Sequence, residues 1–178
     1  MINKNLVFYL FNWFSFYVYW VICIWGAGNN DYFWGPLIGV LFIILHIVFI
    51  KDRFKEIKYI LICILSGFII QSLFYYLGIL QYNGSFLIGD IIFIPIWLLV
   101  LWAGFGTTIY HSFKWLLKRK LLGGILGAIF FPVIYYSSYK WGAILFAQNF
   151  QNYFVVSMLS AVNFYILISI AVRMDEND

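Results

Sequence analysis

WGPLIGVLFIILHIVFI (residues 34–50), KDRFKEIK (51–58) and YILICILSGFIIQSLFYYLGIL (59–80) follow one another without a gap. Two apolar runs flank a short segment that holds Lys51, Arg53, Lys55 and Lys58. A bilayer core about 30 Å thick is crossed by a helix of about 20 apolar residues, and both runs fall in or close to that range. In hydrocarbon a single segment satisfies its own backbone N–H and C=O groups only as a helix. The stretch therefore reads as two membrane helices joined by a basic loop.

The same reading extends outward in both directions. Further apolar runs cover about 6–27, 87–113, 121–139 and 153–172, each bounded by polar residues. The chain is expected to be all-α, a polytopic membrane helix bundle of six transmembrane helices forming one integral membrane domain over residues 1–178. Composition agrees: 65% of the 178 residues are hydrophobic, 24% aromatic and only 10% charged. Soluble domains average about 45–50% apolar and about 25% charged. So few charges cannot cover a water-facing surface, which excludes a cytosolic enzyme, a nucleic-acid binder and a disordered tail. Six spans also leave no room for a catalytic domain outside the membrane.

Basic residues give the orientation, since Lys and Arg concentrate in cytoplasmic loops. With six spans, Lys4, the bases of 51–58, Lys114, Lys118, Arg119, Lys120 and Arg173 share one side, and only Lys140 of the 11 bases lies opposite. Both termini are therefore expected in the cytoplasm. No small-residue cleavage site follows the first run, so it is expected to be a retained helix rather than a signal peptide. Cys23 and Cys63 fall at different depths and are expected to be free. Residues 140–152 are expected to lie along the outer interface as a short amphipathic piece, an outward extension of helix five being the alternative. Pro95 and Pro132 are expected to kink helices four and five, and Asp90 to cap helix four. Gly35-xxx-Gly39 and Gly123-xxx-Gly127 mark faces where helices approach closely.

Polar groups at membrane depth are costly and point to function. Helix one carries Asn12, Ser15 and Tyr19 on one face. Helix two carries His46, helix three Gln71, and helix four Thr107, Thr108 and His111. Counted by depth and register, Asn12, His46, Gln71, Thr107, Thr108 and His111 are expected to line a polar pocket open toward the cytoplasm. Each also has a plainer reading. Asn12 and Gln71 can be interhelical hydrogen-bond glue, Thr107 and Thr108 can bond back to their own helix, and His111 can anchor the helix end. No catalytic residue is identified, no Cys/His spacing resembles a zinc site, and neither a metal nor a cofactor is expected. No pair of acids sits at mid-membrane, so a cation-coupled carrier lacks its usual part.

Asn12-Trp13, Trp34-Gly35-Pro36, His46, Pro95-x-Trp97, Leu101-Trp102-x-x-Phe105-x-Thr107-Thr108-x-x-His111-Ser112-x-x-Trp115, Gly127 and Pro132-x-x-Tyr135 together resemble the bacterial inner-membrane family called domain of unknown function 2878. The resemblance covers nearly the whole chain and is most specific in helix four. It implies a small multi-helix protein of the bacterial cytoplasmic membrane, and it implies no particular activity. One departure stands out, because an acid is expected on helix three after Gly67 and this chain has Gln71. The leading functional expectation is binding or handling of a lipid or small amphiphile near the inner leaflet. An intramembrane enzyme using His46 or His111 as general base, a small transporter, and a structural or assembly subunit are the alternatives. The bilayer is the expected partner, with a lipid or amphiphile as ligand and no nucleic acid; the sequence leaves the oligomeric state open.

Overall fold

The computed structural model describes residues 4–89 and 91–176. Among them are six α-helices: α1 Lys4–Gly28, α2 Trp34–Phe49, α3 Arg53–Tyr76, α4 Ile96–Gly106, α5 Lys120–Lys140 and α6 Phe150–Glu176. Four short strands join them, namely β1 Leu80–Tyr82, β2 Phe86–Ile88, β3 Ile91–Phe93 and β4 Ile144–Phe146, and a 3-10 turn covers Lys114–Lys118. α1, α3, α5 and α6 are long and apolar enough to cross a membrane, whereas α2 and α4 are shorter apolar helices of 16 and 11 residues. Large hydrophobic side chains such as Phe14, Leu65, Ile129 and Phe154 stand exposed around the bundle. An apolar outer surface on that scale is suited to lipid and not to water. The chain is a membrane protein.

Helix three starts at Arg53, six residues before the expected Tyr59, because Asp52 caps it and accepts from the Lys55 backbone N–H at 3.2 Å. It stops at Tyr76 and not at Leu80. Gly78 adopts φ +69°, and its N–H bonds the Tyr75 carbonyl while the Ile79 N–H bonds that of Phe74. The same crossed pair closes α5, where Gly142 has φ +76° and the N–H groups of Gly142 and Ala143 bond the carbonyls of Tyr139 and Ser138. A left-handed residue of this kind favours glycine and turns the chain sharply off the helix axis. Both turns throw the chain into extended backbone, and β1 pairs antiparallel with β4, Leu80 opposite Phe146. Residues 140–152 are therefore not an outward extension of α5, which ends at Lys140. Their central part is a strand.

The expected helix over 87–113 is corrected more heavily. Only Ile96–Gly106 is α-helical; β2 and β3 form a hairpin before it, and Pro95 is its N-cap rather than an interior kink. Asp90 lies outside the described residues. Beyond the helix, the Thr107 and Thr108 hydroxyls donate to the carbonyls of Gly104 and Phe105, at 2.7 and 2.6 Å, and the chain continues as turns. Eight of the eleven α4 residues are buried, Trp97 and Trp102 included. A helix apolar on every side belongs in the centre, and α4 packs against α1, α2 and α3.

Small residues set the close helix approaches, as their spacing suggested. A methyl group on Gly67 would overlap Trp102, and one on Gly104 would overlap Tyr19. Gly123, Gly124 and Gly127 lie against α6, while Gly35 and Gly39 lie against Cys23 and Tyr19 of α1. Pro132 is inside α5 as expected, and both cysteines are free and buried. Asp31 accepts from the Phe33 and Trp34 backbone N–H groups, capping the approach to α2.

The bundle has two distinct ends. At one, Asn83 donates to the carbonyls of Ala27 and Gly142, joining the ends of α1 and α5 to the β1–β4 pair. At the other, Ser112 donates to Tyr9, the Tyr110 hydroxyl donates to the Ala171 carbonyl, and Lys55 pairs with Asp175 at 2.8 Å. That second end gathers the start of α1, the end of α2, the start of α3 and the end of α6. The bases of 51–58, those of 114–120 and Arg173 lie in or beside the segments that meet there.

Candidate functional site

At the basic end, α2 and α3 meet across the short turn that separates them. His46 lies one turn before the end of α2, and Glu56 lies in the first turn of α3. Glu56 is only 4% exposed. Its Oε1 accepts from His46 Nε2 at 2.8 Å. The turn after α4 adds the third member, with His111 Nε2 3.2 Å from the same Oε1. That contact is short but off the line of a hydrogen bond, and Nε2 of His111 is buried with no hydrogen-bond partner among the described residues. The carbonyl of Thr108 accepts from the N–H groups of His111 and Phe113, which fixes the turn carrying His111.

Asn12 supports the cluster from α1. Its Nδ2 sits 3.3 Å from His46 Nδ1 and donates to the Thr107 carbonyl at 3.2 Å, while its Oδ1 accepts from Ser112 at 2.7 Å. Phe8 stacks on His46 with ring centroids 5.9 Å apart and meets His111 edge-on at 5.2 Å. The two imidazoles lie 4.9 Å apart, near perpendicular. A carboxylate out of water is expensive unless it is paired and hydrogen-bonded, and here two imidazoles converge on one of its oxygens. The arrangement can hold or pass a proton, or ligate a cation.

Four of the six candidate residues thus come together: Asn12, His46, Thr107 and His111. Thr108 is fully buried and turned back on its own chain, so it shapes the turn from outside the cluster. Gln71 is not part of it, which corrects the expected single pocket. Fifteen residues of helix separate Gln71 from Glu56, about 22 Å along the axis at 1.5 Å per residue. Gln71 instead donates to the Tyr135 hydroxyl at 2.9 Å and accepts from the Tyr82 hydroxyl at 2.8 Å. Helix three therefore does carry a buried acid, at the end opposite Gln71.

Glu56 escaped the sequence reading because it sits among Lys55, Ile57 and Lys58 in what looked like a loop. A signal was present all the same. The buried face of α3 runs Glu56, Tyr59, Ile60, Cys63, Gly67, Ile70, Gln71 and Phe74, a helical stripe that continues past the hydropathy boundary. The expectation of no metal rested on local Cys/His spacing. It does not bear on ligands drawn from three separate segments, and His46, Glu56 and His111 each offer one ligand atom, all within 4.8 Å of one another.

A second feature lies on another side of α1. A cavity of about 700 Å³ runs between α1, α4, α5 and α6, walled by Trp13, Phe16, Trp20, Leu101, Phe131 and Phe164 among others. Its polar lining is confined to Gln71, Tyr82, Tyr135 and Ser138 and to the rims of Trp and Tyr rings. Exposed Trp13, Tyr17 and Phe130 line its open side, so it faces outward from the bundle. At the basic end it reaches Trp115, which also lines a smaller cleft with Lys114, Lys118 and Arg119.

No curated protein and no solved structure matches the chain. A family model described as "Protein of unknown function (DUF2878)" matches residues 9–164, in line with the motifs from Asn12-Trp13 to Pro132-x-x-Tyr135. That match takes in most of the chain, including every residue of the His46–Glu56–His111 cluster, and the protein belongs to this family.

Proposed function

We propose that this is a single integral domain of the bacterial cytoplasmic membrane that binds a lipid or lipid-like amphiphile in its lateral groove. Six crossings with both termini cytoplasmic fit the basic residues gathered at one end. α2, about 24 Å long, nearly spans the bilayer core. α4, about 16 Å long, completes its crossing with turns and a hairpin, and irregular backbone is tolerated at depth where protein covers it.

The observation that carries the reading is the groove itself. It is apolar along nearly its whole length, and its volume of about 700 Å³ lies within the range of about 300–1,000 Å³ typical of small-molecule sites. It also opens sideways where lipid would enter. Near Trp115 it abuts Lys114, Lys118 and Arg119, so an anionic headgroup would find positive charge at the mouth. None of its lining residues belongs to the His46–Glu56–His111 cluster.

The test is lipid retained through purification and identified by mass spectrometry. Leu126→Trp and Ile134→Trp place an indole in the groove from half-buried positions on α5. Wild type is expected to keep an anionic lipid after detergent washing, and the two variants to lose it. Equal lipid content in all three proteins would refute the groove as a binding site.

A further inference from the structure

We infer that His46, Glu56 and His111 form a binding site for a divalent first-row transition metal ion, of which zinc and ferrous iron are the best-suited examples. Two imidazole nitrogens and one carboxylate oxygen converge, all three ligand atoms within 4.8 Å of one another. Ligand bonds to such an ion measure about 2.0–2.2 Å, so neighbouring ligand atoms stand about 3–3.5 Å apart around it. The separations of 2.8 Å and 3.2 Å from Glu56 Oε1 are already near that spacing. The remaining pair closes by rotation of the His111 side chain, which is carried on a turn and not on a helix.

Hydrogen bonding alone leaves the cluster incomplete. One imidazole donates to Oε1, and the other holds its Nε2 buried 3.2 Å from the same oxygen in a contact that lacks hydrogen-bond geometry. A cation set between the three atoms would satisfy both nitrogens and the carboxylate at once. Two imidazoles with a single carboxylate favour zinc, iron, cobalt or nickel over magnesium or calcium, which prefer oxygen. Three protein ligands also leave a coordination position open, the pattern of reactive rather than purely structural sites.

Asn12 is placed to orient the site. A ligating histidine usually gives its other ring N–H to an oxygen, which fixes the tautomer. Asn12 faces His46 Nδ1 at 3.3 Å, and turning its amide over would present Oδ1 to that nitrogen. The turned amide would also donate to Ser112, whose one hydroxyl proton now lies between Asn12 Oδ1 and the Tyr9 carbonyl. It would give up the bond to the Thr107 carbonyl in exchange. Asn12 is thus a positioning residue for the ion.

The experiment measures bound metal in the full-length protein, purified in detergent without chelator and then reloaded with zinc or cobalt. Elemental analysis is expected to find about one ion per chain in wild type. Glu56→Gln and His111→Gln should each abolish retention, and Asn12→Ala should weaken it roughly 10–100-fold. Cobalt should give visible absorption bands in wild type alone, a readout that mere stabilisation of the fold would not move. His111→Gln changes a turn residue, and its thermal unfolding compared with metal-stripped wild type separates lost ligation from lost folding. Absence of metal and of cobalt bands in wild type would overturn the site. So would retention in both substituted proteins.

Discussion

Two buried polar clusters occupy opposite ends of α3, and they are built differently. The Gln71 cluster is neutral and closed. The amide donates to one tyrosine hydroxyl and accepts from another, so Gln71, only 2% exposed, uses both ends of its side chain. The Glu56 cluster carries an acid and two imidazoles aimed at one of its oxygens, and the nearer contact alone has hydrogen-bond geometry. On the proposed reading the charged cluster takes an ion, while the neutral one joins helices and lends the groove its few polar groups.

The largest expected effect breaks the charged cluster. His46→Ala leaves the Glu56 carboxylate buried without its hydrogen-bond donor and should destabilise the fold by about 3–5 kcal/mol. Unfolding in mixed detergent and denaturing surfactant would measure it. Next comes Gly67→Leu, which forces a side chain into Trp102 where even one methyl group overlaps the ring. Overpacking should cost about 1–3 kcal/mol in the same assay and leave bound metal unchanged. Gln71→Leu removes a neutral network and should cost on the order of 1 kcal/mol, as interhelical hydrogen bonds in membranes do. Metal content should again stay at the wild-type level, and a loss equal to that of Glu56→Gln would erase the distinction between the two clusters. The smallest effect is expected for Lys55→Ala. It deletes an ion pair to a half-exposed Asp175 together with the cation–π contact on the Tyr110 ring, 5.1 Å from Nζ, and should cost no more than about 1 kcal/mol.

Hydropathy alone located α1, α2, α5 and α6 to within a few residues, because each run is bounded by charges or by Gly and Asn. It failed where chain direction depended on pairing. Gly78 and Gly142 end their helices with matching turns, and only the fold shows that these turns place Leu80 opposite Phe146. It failed again around α4, whose flanking hairpin is as apolar as a helix. For the site, Asn12, His46, Thr107 and His111 were legible as costly polar groups on apolar faces. Glu56 was not, since its neighbours Lys55 and Lys58 made an N-terminal helical turn look like a loop. Gln71 was named correctly as a buried polar residue and placed with the wrong partners, because depth counted from a misjudged helix start is off by six residues.

Native mass spectrometry of the intact protein reads metal and lipid on the same molecule, and so tests most directly whether the two regions do separate work. Wild type should carry both masses, Glu56→Gln should lose the ion and keep the lipid, and Ile134→Trp should lose the lipid and keep the ion. Loss of both masses together in either variant, or a wild-type protein carrying neither, would contradict the division between the charged site and the groove.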